Sequence, residues 1–303
     1  MTDISAYLQN LPRGFLSASM QQWPFFAAGF AMLLAPLIWK TRALRSLGSR
    51  VVAASIGTTL AVYHLNLLFA PLAFFLSGQV DALYAALGVP TLPASTWEGL
   101  PWWALALIAV AMNDFADYWA HRVLHMKWLW PIHAIHHSDA HLSGFTTYRV
   151  HFLEKSVMVA TFTLLLTWLG FPPIALGAAA GLLILHNMYV HLAIDIDHGP
   201  FRLLLASPRY HSWHHADVPE YHGKNLANVM PLWDWLFGTY KEGGRCDARF
   251  GAAGVSPDDP VELLLYPFKQ WLRMLQARLV GGAKAADAPA AAAKADQPQS
   301  EPA

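Results

Sequence analysis

Long apolar runs separated by short polar segments set the pattern of this chain. Uncharged stretches cover Pro24 to Trp39, Val51 to Val80, Gly99 to Asn113 and Ser156 to Ile194. A membrane-crossing helix needs about 20 mostly apolar residues, so the last run is long enough for two. Phe171-Pro172-Pro173 breaks it, which predicts a helical hairpin over 156–194 with a proline turn at its tip. The run from Gly99 is short alone. It can continue as a helix through Asp114 and Asp117 toward His121, carrying its polar end out of the apolar layer. From Leu263 to Leu279 apolar and basic residues alternate at helical spacing, as in a helix lying at a membrane surface or an amphipathic helix on a cytoplasmic domain. Beyond Val280 the composition is Ala, Lys, Pro, Asp and Gln, too polar to order itself. The expected organisation is N-terminal spans over 1–113, a histidine-rich unit over 114–245, an extension over 246–280 and a disordered tail over 281–303. The fold class is all-α: an integral-membrane bundle of about five embedded helices with a cytoplasmic helical cap.

Charge gives this bundle a direction. Lys40, Arg42, Arg45 and Arg50 crowd the first connection, whereas 78–100 holds Asp81 and Glu98 and no Lys or Arg. By the positive-inside rule the first connection is cytoplasmic and the second lies outside. Following the chain, every histidine cluster then falls on the cytoplasmic side, as in a bacterial inner-membrane protein. The N-terminus lacks the basic region, short apolar core and cleavage site of a removable signal peptide, so the first span is expected to persist. Composition agrees with a bilayer as solvent: 55% of residues are hydrophobic and 13% charged. The formal net charge is zero, which argues against a nucleic-acid partner. The single cysteine, Cys246, excludes an intramolecular disulfide and a thiolate metal site.

Fifteen histidines stand against that one cysteine. His121 and His125 are four apart, and His133, His136, His137 and His211, His214, His215 repeat the i, i+3, i+4 spacing that converges on one helical face. His186 and His191 sit near the end of the hairpin's second helix. Eight to ten candidate ligands exceed the four that close a structural zinc site, favouring two metals. Imidazole alone admits iron, zinc, copper or nickel. Asp114 and Asp117 precede His121 by seven and four residues, where they either orient an imidazole N–H or end the third span. His64, alone amid the second run, reads as a hydrogen-bonded structural residue.

The boxes HxxxH, HxxHH and HxxHH in so apolar a chain resemble the fatty acid hydroxylase and sterol desaturase superfamily of membrane non-haem di-iron oxidases. The resemblance includes Asp117-Tyr-Trp-Ala-His121, Leu129-Trp130-Pro-Ile-His133, Thr147-Tyr-Arg149-Val-His151-Phe-Leu-Glu154 and Ser207-Pro-Arg-Tyr-His211, then Asn225 and Trp233-Asp234-Trp-Leu-Phe-Gly238-Thr239. It implies iron ligation by His121, His125, His133, His136, His137, His211, His214 and His215, with His191 and His186 as additional ligands from the intervening helix. Asp117, His151, Glu154 and Asn225 become candidates for orienting ligands or facing substrate.

The function this implies is O2-dependent hydroxylation or desaturation of a lipid, whether acyl chain, sterol or hopanoid, or amino-lipid, at two irons. Electrons must come from a separate ferredoxin- or cytochrome-type donor with its reductase, because no haem, flavin or iron–sulfur motif is present. Two other classes compete. A membrane metal-binding or transport protein would need a continuous polar path through the spans, and these offer few such groups. A zinc hydrolase could use the same ligands and is distinguished by metal content.

Overall fold

The computed structural model describes residues 16–17, 19–33 and 50–279. Lys40, Arg42 and Arg45 of the basic cluster, the first apolar run beyond Leu33 and the expected tail over 281–303 lie outside the described residues. Among the described residues the fold is all-helical, with no strand and one isolated bridge between Ala216 and Phe250.

The longer helices are α1 (Trp23–Leu33), α2 (Arg50–Leu67), α3 (Ala70–Leu87), α4 (Trp102–Leu124), α6 (Phe152–Leu166), α7 (Pro173–Val190) and α10 (Pro260–Leu279). Between them lie the short helices α5 (Trp130–His137), α8 (Pro208–His215) and α9 (Leu232–Leu236). Proline opens α3, α5, α7 and α8 at the first or second helical position, where the missing N–H has no intrahelical partner to lose.

The second apolar run, expected to form one span, is two helices. Turn residues Leu68 and Phe69 interrupt it, and Pro71 restarts it as α3. The cause is packing. Ser55, Thr58, Thr59 and Val62 on α2 are buried against polar and apolar parts of the histidine-bearing end: Ser55 donates to Asp139 at 2.7 Å, and Val62 clusters with Ile135 and Leu263. Only then does the chain turn away as α3. The boundary expected after residue 113 falls inside α4, so the two units on either side of it share one helix.

Pair contacts give the directions. Phe69 stacks on Phe152 with ring centroids 4.1 Å apart, Ser77 meets Thr163 at 2.7 Å, and Thr167 donates to Asp81 at 3.2 Å. These positions rise together, so α3 and α6 run in parallel, away from the histidines. At the far end Leu92 N–H donates to Trp168 O at 2.7 Å and Trp97 Nε1 donates to Leu169 O at 2.8 Å, so α4 returns against α6. Gly170 closes this end. Its φ is +56°, and a Cβ there would meet Leu92 O at 2.2 Å, so both backbone and space require glycine. After it, α7 returns beside α4 to the histidine end. Phe25 lies near Gly181 and Gly29 beside Met188, which sets α1 parallel to α7.

Two stretches, Ala70–Leu87 and Phe152–Leu169, are long and apolar enough to cross a membrane, and only 6% and 28% of their residues are buried inside the protein. The exposed side chains include Phe75, Leu83, Leu87 and Leu164, with Trp102, Trp103, Leu107, Ile174 and Leu182 on neighbouring helices. An outward apolar surface of this extent matches a nonaqueous solvent better than water.

Candidate metal centre

The fold sorts the histidines into two groups. On α5, His133 and His137 are four apart and face one way, while His136 is rotated off that line; on α8, His211 and His215 share a face and His214 leaves it. One group gathers His121 and His125 from α4, His133 and His137 from α5, and His214 from α8. The other gathers His136, His191, His211 and His215. Within each group the candidate ligand atoms lie within 4.8 Å of one another. Each of the two short helices therefore feeds both groups. Ring centroids of His137 and His215, one from each group, are 4.5 Å apart.

The donor atoms are set by what holds the other side of each ring. His121 Nδ1 meets Leu226 O at 2.6 Å, His133 Nδ1 meets Glu154 Oε1 at 2.9 Å, His214 Nδ1 meets Lys224 O at 2.8 Å and His191 Nδ1 meets Asn187 O at 2.7 Å. A carbonyl or carboxylate can only accept, so Nδ1 carries the proton and Nε2 carries the lone pair. His121 Nε2 and His133 Nε2 are nevertheless 2.9 Å apart, lone pair against lone pair. In the second group His191 Nε2 is 3.2 Å from His136 Nε2 and 3.0 Å from those of His211 and His215. Ligands about 2.0–2.1 Å from one ion stand about 2.9–3.4 Å apart at ordinary coordination angles. Buried His125 Nε2 and His214 Nε2 have no hydrogen-bond partner. The residues present therefore fit a metal ion in each group.

Burial keeps these imidazoles neutral. His133, His137, His211, His214 and His215 are all held well below the ordinary histidine pKa, first by desolvation and then by neighbouring imidazoles. Neutral imidazole is the form that binds metal.

A second layer of contacts, largely invisible in the sequence, fixes the ring-holding carbonyls. Asn225 lies between the two that receive His214 and His121, and adopts φ +57°, with the carbonyls on either side of it pointing to different rings. Its side chain accepts from Lys241 N–H at 2.8 Å and donates to Lys241 O at 3.0 Å. Asp234 accepts from Leu226 and Ala227 N–H at 2.8 and 2.7 Å and from Tyr210 OH at 2.5 Å. Asp114 accepts from Val229 and Met230 N–H, both at 2.8 Å, and from Trp233 Nε1. Asp114 thus orients the loop rather than an imidazole. Arg149, fully buried, ties Thr59, Ser138, Ser55 and Pro257 O to the end of α5.

The remaining candidates divide. Glu154 holds His133. His151 stands apart from both groups, accepting from Leu153 N–H at 3.2 Å as the N-cap of α6 and meeting Leu264 O at 3.0 Å through Nε2. His186 also lies outside both groups, on the wall of a separate apolar pocket with Val110 and Tyr189. Asp117 touches no histidine nitrogen, and lines a cavity. His64 Nδ1 meets Leu60 O at 2.7 Å, within its own helix.

That cavity measures about 370 Å³ and lies between α4, α6 and α7. His121, His133, His136 and His211, from both groups, form one end; Met158, Val159, Phe162, Ala180, Leu183 and Ile184 form walls leading away.

Residues 106–239, which hold every histidine of the two groups, match the sequence model of the fatty acid hydroxylase family. The match covers a little under half of the chain, and over that segment the chain is similar to the family. A Rhizobium tropici ornithine lipid hydroxylase is 32% identical over 158 residues, 49% of this chain and 47% of the relative. An alkylglycerol monooxygenase of Danio rerio is 29% identical over 48% of this chain and 31% of its own length. A rice very-long-chain aldehyde decarbonylase is 29% identical over 47% and 56%. Each match thus spans between about a third and a little over half of the relative. No solved structure matches the chain.

Proposed function

We propose that this chain is a membrane-embedded lipid oxygenase whose two histidine groups hold two iron ions. One observation carries the reading: a single apolar-walled cavity ends on histidines of both groups, so a lipid chain and a metal pair would share one dry space. His121, His125, His133, His137 and His214 hold one ion, and His136, His191, His211 and His215 the other. When bound, the irons supply O2 activation, which organic side chains do not. The protein's residues position and protect. Leu226 O, Lys224 O and Glu154 lock His121, His214 and His133 in the metal-binding tautomer, while the walls of α6 and α7 align the substrate and exclude water.

Hydroxylation joins one oxygen atom of O2 to a C–H carbon, and two electrons and two protons reduce the other to one water. Desaturation uses the same inputs to give a C=C bond and two waters. The names of the hydroxylase and monooxygenase relatives favour hydroxylation. Electrons arrive from a separate ferredoxin- or cytochrome-type donor with its reductase.

In this reading α1, α3, α4, α6 and α7 are the five membrane helices, α5, α8 and α9 build a cytoplasmic cap, and α10 lies along the membrane surface. The parallel course of α3 and α6 and the return of α4 and α7 support it, since all histidine-bearing ends fall together.

The test pairs metal analysis of anaerobically purified, iron-replete protein with comparative lipidomics of cells with and without the gene, in air and without oxygen. Two irons per chain and an oxygen-dependent lipid product are expected. Stoichiometric zinc, or no lipid that gains oxygen or unsaturation in air, overturns the proposal.

A further inference from the structure

The histidine end of the cavity carries charges that metal binding does not use. Asp117 is only 6% exposed, lines the cavity, and receives no hydrogen bond from a described residue. Lys155 lines the same cavity, exposed, and among the described residues has no carboxylate within 4.0 Å. Glu154 beside it is engaged with His133 through Oε1, and its buried Oε2 has no donor. A plain hydrocarbon filling this space would leave the buried Asp117 carboxylate without a hydrogen-bond donor, which is costly, and would offer the Lys155 ammonium no acceptor. A purely anionic headgroup would satisfy Lys155 and oppose Asp117. One class of ligand meets both signs at once: an ammonium for Asp117 and an anion for Lys155, on a lipid whose tail follows Met158, Phe162 and Leu183 away from the metals.

We propose that the histidine end of this cavity is a headgroup subsite for a lipid with a zwitterionic amino-acid head, Asp117 pairing with its ammonium and Lys155 with its carboxylate. This rests on the reading of the cavity as the lipid site, and deepens it to a substrate class. Asp117 and Lys155 stand beyond ion-pair distance of each other, so neither is closed off from a ligand by pairing with the other. This arrangement also brings the headgroup, rather than the tail end, closest to the metals.

The experiment uses the full chain, metal-loaded, in lipid nanodiscs, and reads binding by native mass spectrometry. Three probes share one acyl tail: Nα-palmitoyl-lysine has amine and carboxylate, Nα-palmitoyl-norleucine lacks the amine, and Nα-palmitoyl-lysinamide lacks the carboxylate. Binding of the lysine probe about tenfold tighter than either other is expected, the scale of one charge-assisted hydrogen bond. Asp117→Asn should erase the preference over norleucine, and Lys155→Gln the preference over lysinamide, with bound metal unchanged. Equal binding of the lysine and norleucine probes, or a preference that survives Asp117→Asn, overturns the proposal. If Asp117→Asn fails to fold, the wild-type comparison and Lys155→Gln decide it. Loss of binding of all three probes would instead count against the lipid cavity itself.

Discussion

Glu154 and Asn225 act on the metal centre at one remove, and differently. Glu154 accepts the Nδ1 proton of His133, so its chemistry is that of an acceptor in a fixed place. Gln can still present an oxygen there, whereas Leu cannot. Glu154→Gln should therefore retain most bound metal, and Glu154→Leu should weaken metal binding about 10- to 100-fold, as loss of a ligand-orienting partner does. Chelator competition against the two variants measures this, and equal affinity in both would show that Glu154 does not orient His133. Asn225 works through the backbone. Its left-handed φ suits Asn and costs most other residues about 1–2 kcal/mol, and its amide satisfies the main chain of Lys241. Neither the carbonyl of Lys224 nor that of Leu226 could be picked from the sequence as a ring-holder. A backbone atom carries no residue signature, and the turn that aims it depends on partners 10 and 105 residues away in the chain.

At the scale of helices, periodicity reveals what a segment buries only when one neighbour dominates. The hairpin of α6 and α7 was readable because proline and glycine punctuate a continuous apolar run. The break between α2 and α3 was not, since hydropathy treats a helix packed under the cap and a helix in lipid alike. Polar Ser55, Thr58 and Thr59 on one face of α2 are the only local sign of a protein partner. For α10 the two faces are separable. Leu263 and Pro267 are buried, while Val261, Leu265, Phe268, Leu272, Leu275 and Leu279 form an exposed stripe at alternating spacings of four and three. Lys269, Arg273 and Arg278 accompany the stripe, and Phe268 lies 6.5 Å from Phe152, where α6 begins. A membrane surface meets both the stripe and the cations. Spin labels at Leu265, Phe268 and Leu272, in a Cys246→Ser background in nanodiscs, should be more accessible to oxygen than to a water-soluble nickel chelate. The opposite accessibility, or dipolar coupling between labels on two chains, would replace the membrane by water or by a second copy.

Across the whole molecule, the histidine spacings announced a metal site, but not the division of labour within it. The i, i+3, i+4 pattern tells that three rings share a helical side. That α5 gives two rings to one group and one to the other, and α8 the reverse, follows only from how the helices cross. The same crossing explains why His186 is left aside while His191, one and a half turns on, caps α7 among the other rings. Gathering many imidazoles in a dry space has a pH consequence. His133, His137, His211, His214 and His215 are held well below 6.5 by burial and by one another, whereas in the unfolded chain each titrates near 6.5. Above about pH 7.5 these rings are neutral in both states and add no pH dependence to stability. As pH falls below about 6.5, the unfolded chain binds protons that the folded chain refuses, so stability declines until the folded groups titrate. Each such ring contributes up to about 1.4 kcal/mol per pH unit in that window. Bound metal opposes this by stabilising the folded state through the same lone pairs that protons would take. Stripped of metal, the protein in nanodiscs should therefore melt markedly lower at pH 5.5 than at pH 8, and saturating ferrous iron under anaerobic conditions should raise the melting temperature at both. Replacing His137 and His215 by Gln, one ring from each group, should flatten the slope of the metal-free protein and remove most of the gain from iron. A metal-free melting temperature indifferent to pH between 8 and 5.5 would mean that these rings are not buried as neutral imidazoles, and the centre would have to be redrawn.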